Sequence, residues 1–161
     1  MNQSQVIILM GSEGDLAHSK KIKDFVTEFG VGVVIHIGSA HKTPEHLIKV
    51  IKGYETALNP KVYITVAGRS NALSGFVDGL VNSPVIACPP LTDNHLSTDI
   101  YSSLRMPSGI CPAVILDPEN AAFLAIKILA LSDRELNKKV IEYKKRHAEK
   151  IIKEDQVLNQ E

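Results

Sequence analysis

Short apolar runs alternate along the chain with longer stretches of helical periodicity, and this alternation constrains the fold more than any other feature. Each run is apolar at nearly every position, which is typical of parallel strands that are buried on both faces. The runs occupy residues 5–10, 31–37, 61–66, 84–88 and 112–116. Strands that alternate with helices predict right-handed βαβ units. We therefore expect an α/β protein with a three-layer, flavodoxin-like, doubly wound sheet of about five parallel strands in the order 2-1-3-4-5, and a long C-terminal helix.

Three stretches between the runs carry apolar residues at helical spacing. They occupy residues 15–29, 44–58 and 120–131. In the second stretch, Leu47, Ile51, Tyr54 and Leu58 follow one another at steps of three or four residues, so we expect them to share a face. The third stretch is apolar almost all round, which indicates a helix packed between other layers.

Side chains that can accept a hydrogen bond precede three of the expected helices. Thr43 and Asp117 each stand directly before a proline, which predicts an N-cap side chain followed by proline at the first helical position. Ser132 and Glu135 have the spacing of a capping box ahead of the last helix.

The last helix is unusually long. From residue 133 to residue 153 it would span roughly 30 Å, about the width of a small domain. Its apolar positions form a narrow seam between charged residues: Leu136, Val140, Tyr143, His147 and Ile151. The seam could belong to a solvated tail or to an arm packed on a neighbouring subunit, and we favour the arm because a regular seam needs a surface to cover it. We expect one domain over residues 1–161, with residues 133–153 as this arm.

Composition argues against several classes of protein. The formal net charge is zero, so we expect neither nucleic acid nor an acidic membrane surface as a partner. The two cysteines, Cys88 and Cys111, cannot build a disulfide framework, and we expect both to be reduced, partly buried thiols. The first apolar run is too short for a signal peptide or a membrane span, so we expect a cytoplasmic protein.

The chemically distinctive residues follow the predicted strands. They include small residues, hydroxyls, carboxylates, cations and a histidine, at residues 11–15, 39–44, 67–71 and 88–90. Because ligands of an open parallel sheet bind beyond the carboxyl ends of its strands, these segments should meet at one site.

The first of these segments is open to two interpretations. Gly11 and Gly14 could serve only to turn the chain from strand into helix, or the Ser12 hydroxyl and nearby N–H groups could bind a phosphate at the helix N-terminus. Asp15 could complement the helix dipole or accept hydrogen bonds from ribose hydroxyls. The local residues do not decide between these interpretations.

His41 is the strongest catalytic candidate among the six histidines. It alone lies in a strand-end loop beside a cation, and imidazole titrates near neutrality, so it can carry a proton to and from a substrate atom. The remaining histidines are interpreted as surface or packing residues: His18, His36, His46, His95 and His147. No second ligand stands at metal-binding spacing around His41, so we expect no metal. No serine lies on a nucleophile elbow.

Four segments together resemble the PurE family, which comprises phosphoribosylaminoimidazole carboxylases and the related N-carboxyaminoimidazole ribonucleotide mutases. The segments read MGSxxD at residues 10–15, SAHKTP at 39–44, AGRSN at 67–71 and SLRMPSG at 103–109. Lys42 stands where the mutase branch typically has arginine, and the third segment lacks that branch's glycine-rich loop with its second histidine. Both features resemble the class II branch, whose members use dissolved carbon dioxide. Gly14 departs from the serine common in the family and is not counted as a site residue.

The resemblance implies an enzyme of purine (IMP) biosynthesis that needs no cofactor. Its reaction would be the reversible carboxylation of 5-aminoimidazole ribonucleotide at carbon 4, with His41 as the general base. The implied substrate-binding residues are Ser12, Asp15, Ser39, Lys42, Gly68 and Ser70, whereas the role of Arg69 stays open. The resemblance also implies a homo-tetramer or homo-octamer whose sites lie near subunit contacts.

Two alternatives remain at this point. The enzyme could be a mutase that starts from the N-carboxylated ribonucleotide, although Lys42 and the third segment argue against it. The chain could also be a non-catalytic, nucleotide-binding, flavodoxin-like module. A signalling receiver would need acids where Gly11 and Ser12 stand, and a flavin carrier would need more aromatic residues than the 5% present.

Overall fold

The computed structural model describes residues 4–90 and 96–159 and shows a five-stranded parallel sheet in the order β2-β1-β3-β4-β5. The strands are β1 (Gln5–Met10), β2 (Gly32–Ile37), β3 (Lys61–Val66), β4 (Val85–Ala87) and β5 (Ala113–Val114). Every pairing between neighbouring strands is parallel. The predicted fold class and strand order are confirmed, although β4 and β5 are shorter than expected.

Helices connect the strands and continue to the end of the described chain. A 3₁₀ turn (Glu13–Asp15) leads into α1 (Leu16–Glu28), and it is followed by α2 (Pro44–Glu55), α3 (Leu73–Asp78), α4 (Leu96–Leu104), α5 (Pro118–Leu129) and α6 (Arg134–Leu158). The sequence pattern does not predict α3 or α4, because six and nine residues offer too few turns for a clear periodicity.

The central strand β1 is buried on both faces, and its alternating side chains enter two separate cores. Val6, Ile8 and Met10 join the core beneath α1, α5 and α6. Ile7 and Leu9 join the core beneath α2 and α3. The molecule therefore has the three layers that a fully apolar parallel strand requires.

The predicted N-cap positions agree with the structure at Thr43 and Asp117, but only the Asp117 side chain makes the cap hydrogen bond. The Asn120 N–H donates to Asp117 Oδ1 at 2.8 Å, as expected. Thr43 is the N-cap residue of α2, but its hydroxyl makes no cap hydrogen bond. The predicted capping box of Ser132 and Glu135 is wrong, because α6 is capped by Asp133, whose Oδ1 accepts from the N–H of Leu136 at 3.0 Å.

The second helix ends earlier than its periodicity predicts. It stops at Glu55, and Thr56 is the C-cap residue. Leu58 therefore lies outside α2 and is 95% exposed, although the spacing had placed it on the buried face. A spacing of three or four residues carries no information on where the helical backbone stops, so the terminal apolar residue was assigned to the wrong environment.

The long helix α6 divides into a packed half and an exposed half. Leu136 and Val140 are buried, and the Tyr143 ring lies 4.8 Å from the Phe123 ring, centroid to centroid. Farther along, Ile151 is 66% exposed. The expected seam is thus covered over its first half by the chain's own α1 and α5, and α6 runs beyond the predicted limit of residue 153.

The two cysteines have different surroundings, and both are free thiols. Cys88 is buried as part of the core, whereas Cys111 is exposed, which corrects the expectation that both would be partly buried. Within residues 4–90 and 96–159, none of the helices combines the length and the apolar character needed to cross a membrane.

Candidate active site

A cleft of about 700 Å³ opens at the carboxyl ends of β1, β2 and β3. All the site residues proposed from the sequence line it: Ser12, Asp15, Ser39, His41, Lys42, Gly68 and Ser70. Arg69, Asn71 and Pro90 also contribute to its wall. The structure therefore brings together residues that lie almost sixty positions apart along the chain.

The register of the sheet explains why three loops meet here. Met10 pairs with both Ile37 and Val66, so the three strands end at the same level. The pairing continues one residue farther, because the Gly11 N–H donates to the Val66 carbonyl and the Gly38 N–H donates to the Met10 carbonyl, each at 2.9 Å. Beyond this level the backbones separate, and the loops form the walls of the cleft.

Gly38 allows α2 to come close to the end of β2. A Cβ atom at this position would lie 2.9 Å from Leu47 Cδ1, which is too short for a real contact. Leu47 is fully buried. Any larger residue at position 38 would therefore force the buried Leu47 side chain of α2 to shift.

The loop after β1 is closed by its own carboxylate. Asp15 Oδ2 accepts hydrogen bonds from the Ser12 N–H at 3.0 Å and from the Ser12 hydroxyl at 3.1 Å. Both Ser12 donors are therefore already used, and a phosphate would have to displace Asp15 to receive them. This geometry disfavours phosphate binding by Ser12, whose hydroxyl retains lone pairs that can accept a hydrogen bond from a ligand.

The loop after β2 is held by reciprocal contacts between Ser39 and Thr43. The Ser39 N–H donates to Thr43 Oγ1 and the Thr43 N–H donates to the Ser39 carbonyl, each at 2.9 Å. The Lys42 N–H donates to Ser39 Oγ at 3.2 Å. Thr43 Oγ1 is thus used to close the loop, which explains why it does not cap α2.

These contacts present the side chains of His41 and Lys42 to the cleft. Both residues are exposed. Among the described residues, neither side chain makes a hydrogen bond. Neither forms an ion pair, since the ion pairs of the described chain lie within α6. An imidazole and an ammonium group are therefore available to a ligand.

The loop after β3 carries a strained residue. Ser70 has a φ angle of 48°, in the left-handed region that residues other than glycine rarely adopt. Its N–H donates to Asp99 Oδ1 of α4 at 3.3 Å. A Cβ atom added at Gly68 would lie 3.8 Å from Pro90 Cγ, which is an ordinary van der Waals distance. Steric contacts therefore do not require glycine at this position.

The charges of the cleft suit an anionic ligand that also carries hydroxyl groups. Lys42 and Arg69 supply positive charge, and no carboxylate of the described residues forms an ion pair with either. Asp15 supplies one carboxylate, of which Oδ2 is engaged by Ser12. A phosphate or a forming carboxylate is attracted by the cations, and ribose hydroxyls can donate to the remaining carboxylate oxygen.

The other described histidines lie outside this cleft. His18 lies on α1 with Nε2 3.2 Å from Cys88 Sγ, and burial lowers the pKa of its imidazole. His36 on β2 contacts the Tyr54 hydroxyl at 2.6 Å, and burial lowers its pKa as well. The His147 ring lies 4.3 Å from the Tyr143 ring of the same helix, α6, and is tilted by 40° to it. His95 lies outside the described residues.

A family model of the AIR carboxylases matches residues 5–150 of the chain. The chain belongs to the AIR carboxylase family. The match includes every strand and every loop of the cleft. It ends within α6, so the distal part of that helix lies beyond the matched region.

Curated relatives and a solved structure agree with this assignment. The phosphoribosylaminoimidazole carboxylase of Treponema denticola is 55% identical over 95% of this chain and 96% of its own length. The enzyme of the same name from Archaeoglobus fulgidus is 47% identical over 96% of this chain and 84% of its own. The crystal structure of Treponema denticola PurE superposes with a TM-score of 0.94, at 54% identity, over 96% of this chain and 98% of that one.

These comparisons confirm three predictions from the sequence: the family, the three-layer fold and the assignment to an AIR carboxylase enzyme. The roles of the individual residues are separate predictions, and the geometry bears on them only by placing the residues in one cleft. Within the described chain, no three His, Cys, Asp or Glu side chains are grouped so that they could hold a metal ion.

One contributor to the site of this AIR carboxylase family member, Asp99, is not evident from the sequence, and the role of a second, Ser103, was not predicted although it begins the SLRMPSG segment. Both residues lie on α4 and contact the loop after β3 through Ser70 and Asn71. Asn71 was visible as the last residue of the AGRSN segment, but its partner lies 32 positions away. Only the placement of α4 against the loop reveals the connection.

Proposed function

We propose that the enzyme adds carbon dioxide reversibly to carbon 4 of 5-aminoimidazole ribonucleotide, and that it does so without a cofactor. The observation that carries this proposal is the position of His41: an exposed imidazole without a partner among the described residues, at the mouth of a cleft that also holds Lys42, Arg69 and Asp15. A proton carrier next to cations and a hydroxyl-binding carboxylate suits a phosphorylated ribonucleotide that exchanges one ring proton for a carboxyl group.

The substrate supplies the nucleophile for this reaction. Its amino group donates electron density into the imidazole ring, and carbon 4 attacks carbon dioxide to form a new carbon–carbon bond. The product of attack is a tetrahedral intermediate that carries both the ring proton and the carboxylate. His41 accepts that proton, the carbon–hydrogen electron pair returns to the ring, and aromaticity is restored. In the reverse direction, protonated His41 returns the proton to carbon 4 before carbon dioxide leaves.

The remaining cleft residues would position the substrate. Asp15 would accept hydrogen bonds from the ribose hydroxyls, with Ser12 beside it. Lys42 would face the phosphate or the forming carboxylate, and Ser39 would hold the Lys42 backbone in place through the contact described above. Gly68 and Ser70 would contact the substrate from the loop after β3. Such fixed positions convert an encounter with a weakly interacting gas into a reaction between held groups.

The substitution His41→Asn tests the catalytic assignment. Asparagine can keep a hydrogen bond to the substrate but cannot carry a proton, so we expect substrate binding to be retained and turnover in both directions to fall by roughly 100- to 10,000-fold. Binding is measured by calorimetric titration, and turnover by absorbance with aminoimidazole ribonucleotide plus bicarbonate. His46→Asn is the matched control, because His46 is exposed on α2 outside the cleft.

Near-normal turnover by His41→Asn would remove His41 from the mechanism.

The choice of substrate is tested on the unmodified enzyme. We expect product from aminoimidazole ribonucleotide and dissolved carbon dioxide. Product formation only from the freshly made N-carboxylated ribonucleotide would identify a mutase instead, and binding without turnover of either compound would contradict an enzyme.

We also propose a homo-tetramer or homo-octamer in the cytoplasm. The distal half of α6 supports the assembly, since Ile151 and Ile152 are both more than half exposed and no element of the described chain covers them. Apolar residues repeated along one helix favour a protein surface as their cover. The location is supported by the substrate, because a phosphorylated ribonucleotide is charged and does not cross an apolar membrane unaided.

A further inference from the structure

Asn71 lines the cleft, yet its side chain is buried and fully hydrogen-bonded. Nδ2 donates to Ser74 Oγ and to Ser103 Oγ, each at 3.0 Å. Oδ1 accepts from the backbone N–H groups of Leu73 at 3.0 Å and of Ser74 at 3.3 Å. A side-chain amide offers two donors and two lone pairs. All of this capacity is used within the protein, so Asn71 does not act by binding a ligand directly.

The orientation of this amide follows from its partners. The backbone N–H groups of Leu73 and Ser74 can only donate, so the carbonyl oxygen must face them, and the amino group must face the two serine hydroxyls. Asn71 is 3% exposed and Ser103 is 1% exposed. In such a dry environment a hydrogen bond is strong and a lost partner is costly. The contacts therefore hold Asn71 in one position.

The same contacts join the loop after β3 to α4. Asp99 and Ser103 are four residues apart on α4 and so share one face of that helix. Asp99 Oδ1 accepts from the N–H of Ser70, and Ser103 Oγ accepts from Asn71. Two consecutive loop residues are thus held by two consecutive turns of a single helix.

Ser70 depends on this support because its backbone is in the left-handed region, with φ at 48°. A residue other than glycine persists in such a conformation only where surrounding contacts stabilise it. Without the contacts to α4, the loop would relax toward an ordinary conformation. Ser70 and the adjacent Arg69, which both line the cleft, would then move.

We infer that Asn71 is a positioning residue: held against Ser103 of α4, it fixes Ser70 in the left-handed conformation that presents the Ser70 hydroxyl to the substrate. The inference rests on the proposed function in one respect, namely that Ser70 contacts the ribonucleotide. It adds α4, of which no described side chain lines the cleft, to the parts of the protein that determine substrate affinity.

The substitution Ser103→Ala tests the inference, because it removes one partner of Asn71 and leaves the bonds within the loop intact. We expect the KM for aminoimidazole ribonucleotide to rise roughly tenfold while kcat stays within about twofold, since a contact made equally in the ground and transition states affects KM alone. Ser102→Ala is the matched control. The Ser102 hydroxyl donates to the Asp99 carbonyl within α4 and does not reach the loop, so we expect its KM to be unchanged.

A merely structural role for Ser103 would reduce the fraction of active enzyme, and therefore the apparent kcat, without raising KM. A second measurement uses the Ser70→Ala background. If Asn71 acts through Ser70, Ser103→Ala should raise KM by less than about twofold there, because residues that act together are not additive.

Equal KM values for Ser103→Ala and Ser102→Ala would overturn the inference. A tenfold rise in KM on introducing Ser103→Ala into the wild type and equally into the Ser70→Ala variant would also overturn it. A wild-type enzyme that fails to carboxylate the ribonucleotide would overturn the proposed function instead. Because the wild type is assayed first, the two failures are distinguishable.

Discussion

Single residues of the loops around the cleft fall into two groups: those whose side chains hydrogen-bond within the protein, and those whose side chains are available to a ligand. Ser12, Asp15, Ser39 and Thr43 hydrogen-bond within their own loops. His41 and its neighbour Lys42 are exposed, with no hydrogen bond from either side chain among the described residues. The held residues fix the shape of the loops, and that shape sets where the free side chains meet a substrate.

Asp15 has two roles in this arrangement, and two substitutions separate them. Asp15→Ala removes the carboxylate that binds Ser12 and the charge that we assign to the ribose hydroxyls, so we expect ribonucleotide affinity to fall roughly 10- to 100-fold, the equivalent of about one charged hydrogen bond. Asp15→Asn keeps an acceptor oxygen for Ser12 and should lose less. Calorimetric titration measures both affinities.

Glu13→Ala is the control for this experiment, because Glu13 is an exposed acid in the same turn but does not line the cleft. An affinity loss with Glu13→Ala as large as with Asp15→Ala would mean that general charge, and not the Asp15 position, determines binding.

The two thiols should differ sharply in reactivity. Burial, with the Asp117 charge second, raises the pKa of Cys88 from 9.0 to about 12, so this thiol stays protonated at pH 8. Only the thiolate is nucleophilic. We expect iodoacetamide at pH 8 to modify the exposed Cys111 alone, as located by peptide mass spectrometry.

The variant Cys111→Ser provides the control: it should stay unmodified in buffer and react once in denaturant, when Cys88 is exposed.

The raised pKa of Cys88 also has a consequence for stability. Because deprotonation favours the unfolded chain, the stabilising contribution of Cys88 is complete below about pH 9 and is lost as the pH rises toward 12. Rapid modification of Cys88 in the native protein would contradict this account of its surroundings.

Among the secondary-structure elements, α6 is the one whose parts differ most in their surroundings. Its first half is anchored by the Tyr143 ring, which lies 5.5 Å from the rings of both Phe25 and Phe29. Lys139 Nζ adds a hydrogen bond of 2.7 Å to the Phe29 carbonyl at the end of α1. A cation at a helix C-terminus is favourable because free carbonyl groups are concentrated there. This half of α6 is therefore part of the domain core.

Tyr143→Ala tests the anchoring of α6. Removing an aromatic ring from a fully buried cluster costs about 3 to 5 kcal/mol. Tyr143 is only half-buried, so we expect a loss of about 2 kcal/mol in the free energy of unfolding. Lys144→Ala, at the next and exposed position, should change stability by less than about 0.5 kcal/mol. Chemical denaturation measures both, and equal values would show that the ring cluster does not anchor the helix.

For the whole molecule, the proposed assembly requires a neighbouring subunit to cover the distal half of α6. Deleting the entire helix would strip Leu136, Val140 and Tyr143 from the core and confuse stability with assembly. A chain that ends at residue 148 keeps these residues and loses only the exposed part. We expect it to retain the circular dichroism spectrum of the fold and, if the proposed assembly forms through this part of α6, to have a lower mass by light scattering than the 161-residue chain.

An unchanged mass for the shortened chain would show that the distal half of α6 is not an interface. A monomeric full-length protein would contradict the assembly proposal altogether. As a control for general effects on the helix, Lys153→Ala in the full-length chain changes only an exposed charge, and we expect it to leave the mass unaltered.

Features that depend on neighbouring residues could be predicted from the sequence. The limits of β1 and β3 agree with their apolar runs, because a strand buried on both faces must be apolar at successive positions. The Asp117 cap is likewise a contact between residues three positions apart. The alternation of strands and helices predicted a doubly wound parallel sheet, for which we expected the order 2-1-3-4-5, and the loops at the carboxyl ends of the strands were expected to form the site.

Tertiary structure alone decided the features that depend on distant partners. Thr43 is the N-cap residue of α2, but its hydroxyl oxygen accepts a hydrogen bond from the Ser39 N–H and does not cap the helix. The link between Asn71 and Ser103 requires α4, whose placement no local pattern specifies. The seam of α6 repeats evenly along the sequence, yet only its first half meets the rings of α1 and α5. A local pattern records what a residue can do, whereas its actual partner is set by which surfaces the folded chain brings into contact.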